Sequence, residues 1–236
     1  LLIYQDARGE KGTPSLMRVV GDASNPHIEV IKEYPENNSA GPEVFSEVIH
    51  DVLSFYPAPG YGLLVFSHGT GWLPAGMFVT PRSVSARSIM EDNGREMELA
   101  DFAVSIPDHV FDFIVLEACL MSGVEVAYEL RNKADYLVAS STEILSPGFS
   151  PVYPELINYL FEDDVNLKGF IHRYYDYCNA LPDVYRSATL SLIDLRAMDA
   201  LAEVTRTVFE HTESKTMETG TVQSFDRGSH KLFFDF

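Results

Sequence analysis

Basic residues and cysteines are scarce in this sequence, and each shortage excludes a class of protein. Only 17 of its 236 residues are Lys or Arg, against 35 Asp or Glu, which gives a formal net charge of −18. Binding to a nucleic-acid backbone relies on clustered Lys and Arg, so we exclude nucleic acid and favour a cationic or neutral partner. Two cysteines, Cys119 and Cys178, are too few for a disulfide framework and lack metal-ligand spacing, so we expect no structural zinc.

Long apolar segments and nucleotide-binding motifs are also missing. No apolar run approaches the roughly 18 residues that span a bilayer, and no basic region precedes an apolar one at the start. We therefore expect no membrane span and no export signal within this chain. There is no Gly-rich phosphate loop and no Gly-x-Ser-x-Gly elbow. Hydrophobic residues make up 46% of the chain, enough for one sizeable core, which predicts a single domain over residues 1–236.

Apolar segments alternate with segments of helical spacing along the chain. Near-continuous apolar runs, typical of strands buried on both faces, occur at 1–5, 61–67, 111–118, 135–140 and 188–194. Helical spacing occurs at 43–57, 96–106, 123–132, 154–162, 167–181 and 194–211, with Asp194 as the expected N-cap of the last segment. This alternation predicts a mostly parallel sheet with helices on both sides, whose active groups gather at the carboxyl ends of the strands.

Two of these strands end in residues that can carry out nucleophilic catalysis. His68 follows the strand "LLVFS", and Cys119 follows "FDFIVLEA". Gly69 and Gly71 permit a sharp turn and a close approach of the backbone to a ligand. An imidazole beside a thiol is the minimum needed to generate a thiolate nucleophile. A single cysteine at a strand end is more often a small buried hydrophobic residue. The hypothesis of nucleophilic catalysis therefore depends on the presence of both His68 and Cys119 at strand ends.

The segments around these residues resemble one peptidase family. "YPAPGYGLLVFSHGTGW", "FDFIVLEACLMSGVEVAYEL" and "ADYLVASSTEILSPGFSPVYPELINYL" are similar to the clostripain family of cysteine peptidases, relatives of gingipains, caspases and legumains. The resemblance runs from "LLIYQD" to about "SLIDLRAMDALAE". The chain opens on "LLIY" without an initiator Met and stops at the strand-like "KLFFDF", so we expect a gene product that is longer at one or both ends, and the family's further strand before "LLIYQD" supports an absent N-terminal part. The resemblance implies a caspase-like α/β/α sandwich. It also implies a bacterial protein exported to the periplasm, cell surface or medium.

The resemblance implies peptide-bond hydrolysis through an acyl-enzyme. Cys119 would attack the scissile carbonyl, and His68 would protonate the leaving amine and then help to activate water. The backbone N–H groups of Gly69 and Cys119 would stabilise the oxyanion. No third catalytic residue and no cofactor are expected for the reaction.

The resemblance also implies protein or peptide substrates with Arg or Lys at the cleavage site, because family members cleave after these residues and acidic residues lie near the nucleophile here. Glu117 lies two residues before Cys119 and shares its face of the strand, where family members commonly carry Asp. The alternative is that Glu117 pairs with an internal cation. The next strand leads into "SSTEILSPGF", which resembles the family's second pocket wall, and this resemblance implies that Ser140 and Glu143 lie there.

The segment between the two candidate catalytic residues, residues 73–97, has the Pro, Gly, Ser and Asn content of an exposed loop. Family members are often made as precursors and cut themselves between the His and Cys segments. We therefore expect self-cleavage after Arg82 or Arg87, with an ordinary uncut loop as the alternative.

Two further expectations concern metal binding and the class of function. The acidic run 162–164 could hold calcium, as in some relatives, although a solvated turn is the commoner form of such a run. The alternative to a peptidase is a catalytically silent relative that binds cationic peptides in an acidic cleft.

Cys178 lies on an aromatic helical face and is expected in the core.

Overall fold

The computed structural model describes residues 1–6, 12–22, 24–72 and 89–211. The strands of these segments are β1 (Leu2–Gln5), β2 (Ser15–Val20), β3 (His27–Glu33), β4 (Gly62–Phe66), β5 (Ile89–Asp92), β6 (Arg95–Met97), β7 (Phe111–Glu117), β8 (Ala134–Ala139) and β9 (Ser191–Asp194). The helices are α1 (Pro42–Phe55), α2 (Leu99–Ser105), α3 (Val124–Glu129), α4 (Tyr153–Leu160), α5 (Leu167–Asn179) and α6 (Met198–His211).

A four-stranded sheet with the order β4-β7-β8-β9 forms the centre of the fold. Strand β7 runs parallel to both β4 and β8, whereas β9 is antiparallel to β8. The central strands β7 and β8 read as near-continuous apolar runs because helices cover both of their faces. The prediction of a mostly parallel central sheet is therefore confirmed.

Alternate residues of β7 enter two different hydrophobic clusters. Ile114 and Leu116 pack on one side, against residues of α1, α2 and α3. Phe113 and Val115 pack on the other side, against α4 and α5. This alternation follows from the two-residue period of a strand, and it makes the architecture an α/β/α sandwich, as predicted.

The helices begin close to the predicted positions, and each of them buries at least one residue. In α1, Pro42 occupies the first turn, where its missing N–H costs no hydrogen bond, and Phe45, Val48 and Ile49 point inwards. Asp194 caps a 3-10 turn that leads into α6, since its side chain accepts a hydrogen bond from the Arg196 N–H. None of the described helices is long and apolar enough to cross a membrane.

The first strand is not part of the central sheet, so that prediction was wrong. β1 pairs antiparallel with β2, and β2 pairs antiparallel with β3, in a separate three-stranded sheet. This sheet packs on α1 through a small cluster around Leu16 and Tyr34. The sequence did not indicate β2 and β3 because both strands mix charged and apolar residues, and most of β3 is exposed.

The prediction of a single loop over 73–97 was also wrong for its last part. Residues 73–88 lie outside the described residues, but β5 and β6 form an antiparallel hairpin. Ile89 and Met97 are completely buried, and Asn93 and Gly94 adopt positive φ angles at the turn. An Asn-Gly pair is a strong hairpin signal that the composition of the whole segment concealed.

Candidate active site

The parallel pairing of β4 with β7 brings His68 and Cys119 to the same edge of the sheet. Phe66 pairs with Glu117 in the register, and each candidate residue lies two positions beyond that pair. Ser67 N–H donates to the Glu117 carbonyl at 3.2 Å. Gly69 lies so close to the next strand end that a Cβ there would be 2.7 Å from the Cys119 carbonyl oxygen. Only glycine permits this approach, so the two strand ends are in direct contact.

The thiol of Cys119 is half-buried under the loop that follows β8. Its Sγ accepts a hydrogen bond from the Ile144 N–H at 3.3 Å and donates one to the Ile144 carbonyl at 3.8 Å. Burial raises the pKa of the Cys119 thiol, and the negative charge of Glu143 raises it further, although the Ile144 hydrogen bond opposes this. The neutral thiol is therefore the favoured form at neutral pH. His68, by contrast, is exposed to solvent.

Glu117 is buried and held by neutral donors. Its side chain is only 2% exposed. One carboxylate oxygen accepts the Phe149 N–H at 2.6 Å, and the other accepts the Tyr153 hydroxyl. Burial raises the pKa of the Glu117 carboxyl, and these two donors act against that rise. Within the described part of the chain no Lys or Arg forms an ion pair with Glu117, so the alternative of an internal cation finds no support there.

The two other predicted pocket residues lie in different environments. Ser140 is completely buried, and its hydroxyl is engaged with the Thr142 carbonyl and with the Thr189 hydroxyl at 2.9 Å each. Ser140 therefore contributes to the loop through these internal hydrogen bonds, and its place on the pocket wall stays a prediction. Glu143 is half-exposed and close enough to Cys119 to affect the ionisation of the thiol.

The remaining sequence predictions lie away from this edge. Arg82 and Arg87 fall outside the described residues. The acidic run 162–164 is exposed between α4 and α5, and no group of three His, Cys, Asp or Glu in the described segments could hold a metal. Cys178 is buried beside Tyr174 in the cluster between α5 and the sheet.

Three residues at the site were not found from the sequence. Ile144 contacts the thiol through its backbone, and Phe149 and Tyr153 donate to Glu117 across 32 and 36 residues of chain. Almost any residue type can supply a backbone N–H, so the sequence does not reveal which residue donates to the thiol. The pairing of Tyr153 with Glu117 depends on the tertiary fold, and no local pattern reports it.

An α/β/α sandwich with a cysteine and a histidine at touching strand ends is the architecture of the caspase-like cysteine peptidases. Comparison with known proteins identifies one family within this class of peptidases. The model of the clostripain family matches residues 1–229, and the chain therefore belongs to that family of cysteine peptidases. Clostripain of Hathewaya histolytica is 32% identical over 171 residues, which cover 64% of this chain and 31% of clostripain.

Solved structures of related peptidases share the fold. An inactive zymogen C11 protease from Parabacteroides distasonis is 30% identical, with a TM-score of 0.81 over 98% of this chain and 62% of its own. A secreted C11 cysteine protease from Bacteroides thetaiotaomicron, in complex with an irreversible peptide inhibitor, is 29% identical, with a TM-score of 0.75 over 96% of this chain and 62% of its own. The chain thus spans about three fifths of these solved proteins and less than a third of clostripain.

We predict that Glu143→Gln makes Cys119 more reactive towards iodoacetamide at neutral pH. Burial and Glu143 both raise the pKa of the thiol, so the thiolate fraction is small at pH 7 and grows as the pH rises. Removing the carboxylate charge lowers the pKa, and the rate at pH 7 should increase about two- to fivefold. Peptide mapping by mass spectrometry separates Cys119 from the buried Cys178, which serves as the internal control. Equal alkylation rates of Cys119 in wild type and Glu143→Gln at every pH would contradict the effect of the Glu143 charge on the pKa of the thiol.

Proposed function

We propose that this chain is the catalytic part of a cysteine endopeptidase that cleaves peptide bonds after Arg or Lys. The observation that carries the proposal is the contact between the two strand ends, in which Gly69 packs on the Cys119 carbonyl. This contact supports a pairing of the His68 imidazole with the Cys119 thiol, which nucleophilic catalysis would need. The alternative, a silent relative that binds cationic peptides, retains the same acidic surroundings but needs neither residue.

The proposed reaction uses Cys119 and His68 as a dyad. As the substrate binds, His68 takes the thiol proton and Cys119 Sγ attacks the scissile carbonyl. The N–H groups of Gly69 and Cys119 are candidates for the oxyanion hole, because no described carbonyl is hydrogen-bonded to either of them. His68 then protonates the leaving amine, and a water molecule activated by His68 hydrolyses the acyl-enzyme.

Carboxylate charge beside the nucleophile supports the preference for basic residues. Glu143 is half-exposed, and Glu117 keeps its charge uncancelled because both of its hydrogen-bond donors are neutral groups. Such charges attract a guanidinium or ammonium group, and the attraction is strongest where the bound substrate excludes water. A bound cation would also offset the effect of Glu143 on the thiol and so favour the reactive thiolate.

The relatives support an exported peptidase with peptide substrates. One solved relative is a secreted protease bound to a peptide inhibitor. By analogy we place this protein outside the bacterial cytoplasm, with protein or peptide substrates that carry Arg or Lys at the cleavage site.

We propose further that the protein activates itself by a cut after Arg82, with Arg87 as the less favourable position. One solved relative is an inactive zymogen. In this structure Ile89 is completely buried and bridged to Gly69, and the Met90 N–H donates to the His68 carbonyl at 3.2 Å. A cut after Arg87 would require Ile89 to leave the strand end that carries His68. Residues 83–88 separate Arg82 from Ile89, so a cut there leaves this contact intact.

Cys119→Ala and His68→Ala should each abolish most peptide hydrolysis without unfolding the protein. We expect kcat/KM to fall by at least about 10³-fold for the first and by about 10² to 10⁴-fold for the second. Cys178→Ala and His172→Ala, which change residues outside the site, are the matched controls. Circular dichroism and thermal melting verify folding. Substantial turnover by folded Cys119→Ala would refute the mechanism.

The two carboxylates should be required for basic substrates in particular. Peptides that differ only in the residue before the scissile bond, Arg, Lys or Leu, give the ratio of basic to neutral kcat/KM. We expect Glu143→Gln and Glu117→Gln each to lower this ratio by about 10- to 100-fold, because each removes a charge and keeps the shape. Glu162→Gln, in the exposed turn after α4, is the control. Any change in thiol reactivity affects all three substrates and cancels in the ratio, so an unchanged ratio would assign the carboxylate a structural role.

Self-cleavage predicts a nick that depends on both the nucleophile and Arg82. Intact-mass analysis should find two fragments in the wild type and in Arg87→Gln, one uncut chain in Cys119→Ala, and mostly uncut chain in Arg82→Gln, whose residual cut falls after Arg87. A nick that also appears in Cys119→Ala would point to another protease. An uncut wild type with full activity would rule out self-processing as an activation step.

A further inference from the structure

The loop after β8, residues 140–149, is fastened to the segment that carries Cys119. The N–H of Leu120 donates to the Thr142 carbonyl at 3.1 Å, and the N–H of Ser122 donates to the Ser140 carbonyl at 3.0 Å. Ile144, two residues beyond Thr142, donates its N–H to Cys119 Sγ. The near end of the 140–149 loop thus presents a backbone donor to the nucleophile.

The far end of the same loop is fastened by Glu117. Phe149 donates its N–H to one carboxylate oxygen at 2.6 Å, and Tyr153, the first residue of α4, donates its hydroxyl to the other. Gly148 has a φ of +63°, and a Cβ at this position would lie 2.2 Å from the carboxylate. The backbone of the loop therefore wraps closely around Glu117.

These contacts form a continuous path from Tyr153 to the thiol. Hydrogen bonds to a buried carboxylate are short and strong, so they fix the position of both partners. The Tyr153 hydroxyl orients the carboxylate, the carboxylate holds Phe149, and the loop between Phe149 and Ile144 carries the donor to Cys119. An N–H that points at sulfur stabilises the thiolate over the thiol.

We propose that Tyr153 is a positioning residue for the nucleophile: through Glu117 it holds the 140–149 loop so that the Ile144 N–H remains on Cys119 Sγ. This inference rests on the proposed role of Cys119 as the nucleophile, and it gives Glu117 a second task besides its charge. Loss of the Tyr153 hydroxyl releases one carboxylate oxygen and loosens the loop, which weakens the donor to sulfur.

The expected pH effect has a definite sign. Glu143 of the 140–149 loop acts on the thiol through its charge, and Glu117 and His68 belong to the two strand ends that meet at this edge. Tyr153 and Tyr174 face Glu117 from α4 and α5. Weakening the Ile144 hydrogen bond raises the pKa of the Cys119 thiol, so a variant that lacks the Tyr153 hydroxyl should be alkylated more slowly on the acidic side of the profile.

Tyr153→Phe tests the inference, with Tyr174→Phe as the matched control. Both changes remove one tyrosine hydroxyl from the aromatic cluster around Phe149, whose ring lies 6.2 Å from that of Tyr153 and 4.5 Å from that of Tyr174, but only Tyr153 is bonded to Glu117. We expect Tyr153→Phe to shift the alkylation profile of Cys119 to higher pH and to slow iodoacetamide at neutral pH by at least about threefold. It should also lower kcat by the same factor for Arg and Leu peptides, with KM little changed. Tyr174→Phe should match the wild type in all of these.

A folded Tyr153→Phe protein with the wild-type alkylation profile would overturn the inference. A change confined to the ratio of Arg to Leu substrates would also overturn it and would assign Tyr153 to specificity instead. Alkylation of Cys119 needs no substrate, so it tests the positioning role of Tyr153 independently of peptide cleavage. If the alkylation profiles shift as expected but the wild type cleaves no peptide, the proposed function is refuted and the inference about Tyr153 stands.

If Tyr153→Phe does not fold, Gly148→Ala displaces Glu117 by a second route. Gly94→Ala is its control, because Gly94 also has a positive φ but no atom lies within 4 Å of the position that a Cβ would occupy. Gly148→Ala should shift the alkylation profile in the same direction as Tyr153→Phe, and Gly94→Ala should not. Identical profiles for the two glycine variants would contradict the proposal.

Discussion

The parallel pairing of β4 with β7 is the constraint on which the whole site depends. The pair Phe66 and Glu117 closes the register, and the chain places an imidazole and a thiol two residues beyond it on each strand. A slip of one residue would turn either side chain to the opposite face of the sheet. The register is fixed because Ile114 and Leu116 must enter one core and Phe113 and Val115 the other. Packing on both faces of the sheet thus sets the geometry of the chemistry at its edge.

The polar groups at this edge of the sheet supply negative charge to the site and also hold the 140–149 loop in position. Glu117 is buried, and no Lys or Arg among the described residues forms an ion pair with it. Its carboxylate is instead stabilised by hydrogen bonds from the Phe149 N–H and the Tyr153 hydroxyl. A buried carboxylate is costly unless it is hydrogen-bonded, so the loop that supplies these donors is held firmly in place. The same loop covers the thiol, whose raised pKa keeps it neutral in the resting protein. Under the proposed function, a cationic substrate bound beside Glu143 would lower the pKa of this thiol and so favour the thiolate.

The sequence predicted those features that depend on local pattern. Periodicity located the helices and the four central strands, and the strand-end positions of His68 and Cys119 followed from the topology of parallel sheets. Periodicity did not reveal which strands pair, so β1 was assigned to the wrong sheet. The buried hairpin at 89–97 was missed because an Asn-Gly turn lay within a segment of loop-like composition. The contacts of Ser140 with Thr189 and of Tyr153 with Glu117 were not found from the sequence, because the tertiary fold brings these partners together over 36 to 49 residues of chain.

The most direct test of the central claim is a crystal structure of the protein after reaction with a peptidyl ketone inhibitor that carries Arg before the reactive carbonyl. The account predicts a covalent bond to Cys119 Sγ, with the imidazole of His68 alongside. It further predicts the carbonyl oxygen within hydrogen-bond distance of the Gly69 and Cys119 N–H groups, and the guanidinium directed towards Glu143 and Glu117. A structure in which the reagent is bound to Cys178, or in which the arginine side chain points away from both carboxylates, would contradict it.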